Sequence, residues 1–99
     1  MQKTLPTPSA YFKLINVFTI TGRGDALAGN ILAGNINTGD RIELNINGTV
    51  VKLDILSVEA IDSPNDKPTT GLIVGKVSND VLETVKLFLG QVIVVVSGD

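Results

Sequence analysis

Three stretches of the chain alternate apolar and polar residues with the period of two that belongs to β-strands. From Tyr11 to Thr21, Phe12, Leu14, Phe18 and Ile20 share one face, and Asn16 interrupts it as a bulge would. From Arg41 to Ile46, Ile42, Leu44 and Ile46 face away from Arg41, Glu43 and Asn45. Asn47-Gly48 follows, two residues that tolerate the positive φ of a type I′ hairpin turn. Thr49 to Ala60 is then the return strand, with Val51, Leu53 and Ile55 on one side and Lys52 and Asp54 on the other. Two other runs are apolar throughout. Ala26 to Ala33 is small-residue and broken by Gly29, which indicates a bend or a close backbone approach. Gly71 to Val77 is apolar except for Lys76 and reads as a buried strand, and Gln91 to Val96 closes the chain as a β-branched strand that is free to form an edge.

A single segment carries the helical period. Val81, Val85, Phe88 and Leu89 fall at i, i+4, i+7 and i+8, with Ser78 placed to cap the N-terminus and Gly90 to end the segment. This predicts one short helix from Asn79 to Leu89. Met1 to Ser9, with Pro6 and Pro8, reads as a flexible lead-in, so residues 10–99 form one domain. Ile61 to Thr70, with Pro64 and Pro68, is a polar connection.

Glycine punctuates the first half regularly. Gly22 and Gly24 flank Arg23 in a tight corner, and Gly29, Gly34 and Gly39 follow at five-residue steps. Short strands separated by such turns predict an all-β fold, a small closed or partly open antiparallel barrel carrying the one helix in its C-terminal half.

Composition narrows the chemistry. The 99 residues are 43% apolar and 4% aromatic with no Trp, which implies an aliphatic core. Eight basic residues against ten acidic ones give a formal charge of −2, without the basic excess of an autonomous nucleic-acid binder. Cysteine and histidine are absent, which removes thiolate nucleophiles, imidazole bases, disulfides and the usual zinc ligand sets. No apolar run approaches the roughly 18 residues of a membrane span. A cytoplasmic protein with no metal, no cofactor and no catalytic residues is the expectation.

The run Phe18 to Leu44 resembles the second domain of translational GTPases of the elongation factor Tu type, which reads approximately F-x-I-x-G-R-G-T-V-x-x-G-R-V-x-x-G-x-I-x-x-G-D-x-[VI]-x-[LI]. Phe18, Ile20, Gly22, Arg23, Gly24, Gly29, Ile31, Gly34, Ile36, Gly39, Asp40, Ile42 and Leu44 stand in register with it. Lys52, Ile55, Val58 and Glu59 look like the family's K-x-x-[VI]-x-[SG]-[IV]-E strand, Gly71 to Gly75 like its G-L-L-L-x-G segment, and Gly90 to Ile93 like its closing G-x-V-[IL]. Asp25-Ala26 stands where the family has Thr-Val. The resemblance implies the translation-factor barrel, here without its GTPase domain. Gly71 to Val77 is one residue short of a phosphate loop, with Val77 in place of the magnesium-binding hydroxyl.

The resemblance also implies a role: a binding module that docks a protein or ribonucleoprotein partner, with RNA contact implied by the family alone. Arg23 and Glu59 are the residues it singles out. Arg23 offers a contact to an RNA phosphate or a partner carboxylate; the architectural alternative has it packing over the barrel end and bonding local carbonyls. Glu59, Asp62 and Asp66 form an acidic stretch without calcium-loop spacing. The Arg23-Gly24-Asp25 tripeptide is read as coincidence, and the sequon Asn47-Gly48-Thr49 is explained as a hairpin turn. The other function class open to the chain is a self-associating structural barrel without RNA contact, suggested by its aliphatic surplus and the apolar Val92 to Val96 strand.

Overall fold

The structure is a computed structural model that describes residues 8–61 and 69–98. Among these residues seven strands and one helix follow in the order β1 (Pro8–Ile20), β2 (Gly24–Gly34), β3 (Arg41–Ile46), β4 (Thr49–Asp54), β5 (Ser57–Ile61), β6 (Thr69–Gly75), α1 (Asn79–Lys86) and β7 (Val92–Val96). All ladders are antiparallel, in one sheet ordered β4-β3-β7-β1-β2-β6-β5. Met1 to Thr7, most of the expected lead-in, lies outside the described residues, as do Asp62, Pro64, Asp66 and Pro68. Among the described residues no helix is long and apolar enough to cross a membrane.

The expected return strand from Thr49 to Ala60 is two strands. β4 pairs with β3, β5 pairs with β6, and these are the opposite edges of the sheet. Only Ile55 and Leu56 join them. In a flat sheet the two edges would stand about 29 Å apart, six spacings of about 4.8 Å. The chain from Asp54 to Ser57 spans at most about 11 Å. The sheet therefore curls until its edges approach at this junction, where the Ile55 amide donates to Asp40 O (2.8 Å) and the Leu56 amide to Ile73 O (2.7 Å). No ladder joins β4 to β5 among the described residues, so the sheet is open by hydrogen bonding.

Extra residues supply the bending. Ser9 and Ile15 in β1, Leu32 in β2 and Val74 in β6 are skipped in their ladders, and each such bulge bends and twists its strand. The bulge at Ile15, one residue from the expected Asn16, also reverses the alternation of β1. Phe12 and Leu14 are buried before it; beyond it Val17 packs against the core, and Phe18 and Ile20, expected on the Phe12 face, turn to the other side.

The core gathers Phe12, Leu14, Leu27, Ile42, Leu44, Leu53, Ile55, Leu72, Val85, Ile93 and Val95. Leu72, Ile73 and Val74 are all buried, as the unbroken apolar run requires. β7, expected as a possible edge, lies inside the sheet between β3 and β1. α1 is capped by Ser78 Oγ, which accepts from the Val81 amide at 3.3 Å. It ends at Lys86 rather than Leu89; Leu87 to Gly90 continue as turns in which Phe88 and Gln91 donate three residues back, and Leu89 stays exposed. Asn47 and Gly48, at φ 51° and 86°, make the expected tight hairpin.

Gly29 carries the tightest approach. A methyl group there would overlap the Lys13 carbonyl oxygen and come within 2.8 Å of the Phe12 ring. Because the obstacle is backbone of the paired strand, Gly29→Ala should cost about 3 kcal/mol or more. Gly48→Ala meets nothing within 4 Å and should cost about 1–2 kcal/mol through its left-handed φ alone. Urea unfolding followed by circular dichroism measures both, and equal losses would refute the close-approach account.

Candidate docking corner at the Gly-Arg-Gly turn

β1 turns into β2 through Thr21, Gly22 and Arg23, closed by the Arg23 amide donating to Ile20 O at 2.9 Å. Gly22 takes φ 82°, which leaves Arg23 at the exposed apex. Gly24 lets this turn seat on the end of β6: a Cβ on it would lie 2.5 Å from the Gly75 carbonyl carbon and 2.7 Å from the Lys76 nitrogen. Between the turn and the link from β6 to α1 lies an open cleft of about 490 Å³, lined by Thr19, Arg23, Asp25, Lys76, Asn79 and Leu82 among others.

Asp25 is the cleft's buried anion, 4% exposed. Its Oδ1 accepts from Thr19 Oγ1 at 2.5 Å and its Oδ2 from the Val77 amide at 3.1 Å. Both oxygens are thus held by donors from two other segments of chain, and the residue ties β1 and the start of the α1 link to β2. Its burial also takes it out of the Arg-Gly-Asp tripeptide as an exposed loop ligand.

Arg23 turns away from local carbonyls and meets Glu59 on β5. Nη1 donates to Oε1 at 2.9 Å and Nη2 to Oε2, a two-pronged pair that spans β6; Ser57 Oγ donates to the same Oε2 at 2.9 Å. The two residues singled out by the sequence are therefore partners of each other, on side chains 45% and 37% exposed. Gly22 and Gly24 belong to this corner. Gly29, Gly34 and Gly39 do not; they shape β2 and its exit toward β3. Asp62 and Asp66 lie outside the described residues, and among those described no cluster of three acidic side chains is placed to hold a metal.

The pair shifts both groups. Glu59 titrates below its ordinary 4.5, first because the Arg23 guanidinium hydrogen-bonds the ionised carboxylate and next because the Ser57 hydroxyl does. Arg23 is pushed up by the same bond and by the charge of Glu59. What the corner offers chemically is hydrogen bonding and charge complementarity: hydroxyls, an amide, and the cations of Arg23 and Lys76.

Asp25, Lys76 and Asn79 were not legible as site residues. Nothing in the local sequence pattern marks Asp25 as buried and doubly bonded; the seating of the turn on β6 shows what it does.

Because the folded state lowers the Glu59 pKa, its contribution to stability is complete above the unfolded value of 4.5 and is lost as pH falls through the lower folded value. The melting temperature of the wild type should exceed that of Glu59→Gln slightly at neutral pH, and the gap should close in acid below pH 4.5. High salt should also narrow it, since the pair is exposed. A gap that persists unchanged at acid pH would show that Glu59 acts through something other than its charge.

No protein-family model matches the chain, and no characterised protein or solved structure was found to match it.

Proposed function

We propose that the chain is a non-enzymatic binding module with the translation-factor barrel, and that it docks a protein or ribonucleoprotein partner through the Gly22–Asp25 corner and the cleft beside it. The observation that carries this reading is the Arg23–Glu59 pair. Glu59 occupies two of the guanidinium's five N–H donors and fixes its plane, which leaves three donors for an oxygen from outside. An arginine already held in one orientation loses less freedom on binding than a free one. The buried, doubly bonded Asp25 beneath it makes the corner rigid in the same way.

The barrel itself is supported by the junction at Ile55-Leu56, which brings the two sheet edges together as a closing barrel would. Matching positions from Phe18 to Ile93 support the family reading, and carbonyl, carboxylate and phosphate oxygens all suit the free donors of Arg23. The family's contacts with RNA make a ribonucleoprotein surface one partner of this kind.

The wild-type chain and Arg23→Ala, each immobilised, should differ in what they retain from a lysate of the source cells at low salt. A component held by the first and lost from the second is the expected result, and sensitivity to ribonuclease would mark it as a ribonucleoprotein. Identical retention on both surfaces would overturn the assignment of the corner.

A further inference from the structure

A different surface, independent of the corner, bears on self-association. β4 is an edge strand: among the described residues it pairs only with β3. Its tight hairpin makes Ile46 and Thr49 a hydrogen-bonded pair, so Val51 and Leu53 also turn their backbone groups toward β3. The amide of Ile55 donating to Asp40 O continues that alternation. Val50, Lys52 and Asp54 are left with N–H and C=O groups directed to the open side.

The outer face of this edge reads Val50, Lys52, Asp54 and, just past the strand, Leu56. Val50 and Leu56 are large apolar side chains left 46% and 57% exposed. Behind them on β3, Glu43 is the cross-strand neighbour of Lys52, and Arg41 of Asp54. Among the described residues none of these four charged side chains forms an ion pair or a side-chain hydrogen bond, and Arg41 Nε is buried without a partner.

We propose that the β4 edge takes a second copy of this chain, antiparallel, with Lys52 of each copy opposite Asp54 of the other. The four-residue pattern is its own complement when reversed. In that register Val50 faces Leu56 of the second copy, and a row across the seam runs Glu43, Lys52, then Asp54 and Arg41 of the second copy, alternating in sign. Shifting the pairing by two residues one way sets Lys52 against Lys52, and the other way sets Asp54 against Asp54. A shift of one residue turns the free backbone groups out of step and reverses the faces. The charges thus select one register. They also select the partner, because a lysine on an edge strand opposes pairing with any strand that brings it no carboxylate. In this register β4 overlaps its copy over Lys52, Leu53 and Asp54, with Val50 and Leu56 facing each other at either end, so the dimer belongs at the weak end of interfaces and depends on concentration.

Sedimentation of the full chain over a wide concentration range should show a monomer–dimer equilibrium that weakens with salt. K52D and D54K each place two like charges on this face, and each should raise the dimer dissociation constant about tenfold or more. Mixed one to one, the two variants carry opposite charges at every facing position and should associate with each other at least as tightly as the wild type with itself. Circular dichroism on each variant establishes that it is folded. A wild type that stays monomeric throughout, a K52D chain that dimerises like the wild type, or a mixture no tighter than either variant alone would each overturn the proposal.

Discussion

Two residues, Ile55 and Leu56, carry the chain from one edge of a seven-stranded sheet to the other, and that short link constrains everything else. It cannot be met by a flat sheet, so the strands between must curl. The cost of curling is met by bulges, and they are not spread evenly. Ser9, Ile15, Leu32 and Val74 all fall in β1, β2 and β6, in the half of the sheet that approaches β5. The hairpin of β3 and β4 pairs residue for residue without interruption. One half bends and the other stays regular. Curling in turn wraps the concave face around Phe12, Leu14, Leu72 and Val95, which is how a chain of this size obtains a core without a second layer of sheet.

The parts that were legible in the sequence are those governed by neighbours along the chain. The Asn47-Gly48 turn, the Ser78 cap, the alternation of β3 and the buried middle of β6, Gly71 to Val74, all follow from local φ preferences and periodicity. The parts that were not legible depend on which strands meet. Thr49 to Ala60 reads as one strand by composition, and the trace of the change of partners is a slip in phase, from Val51, Leu53 and Ile55 to Leu56, Val58 and Ala60, which does not say which strands are met on either side. The bulge in β1 was signalled by Asn16 on an apolar face, yet the extra residue is Ile15, and its effect on Phe18 and Ile20 appears only once the β2 register is known. The Val92–Val96 strand, read as a possible edge because it is uniformly apolar, is an interior strand with neighbours on both sides.

The candidate site divides along the same line. Arg23 and Glu59 were singled out separately, 36 residues apart, but their pairing depends on the order β2-β6-β5, which no local signal encodes. Among the described residues Asp25 and Asp40 are the two buried carboxylates, and each solves the same problem at a different place. Asp40 accepts from the Asn37 amide at 2.8 Å and the Gly98 amide at 3.3 Å, as Asp25 does from Val77, so backbone donors at strand ends are satisfied by a nearby acid rather than by another strand. An open, curling sheet leaves such donors wherever a ladder stops.

Gly24 shows how shape and chemistry join at the corner. The close seating of the Gly22–Gly24 turn on Gly75 and Lys76 requires a residue without a side chain and with φ of 103°. That seating brings the Val77 amide to Asp25, and the bonded Asp25 fixes the first residues of β2. With the turn anchored, Arg23 projects from a fixed base and reaches across β6 to Glu59 rather than sampling solvent. The glycine contributes no group that a partner would touch. It determines where the guanidinium stands, and for a planar group with directed donors position is most of its recognition chemistry.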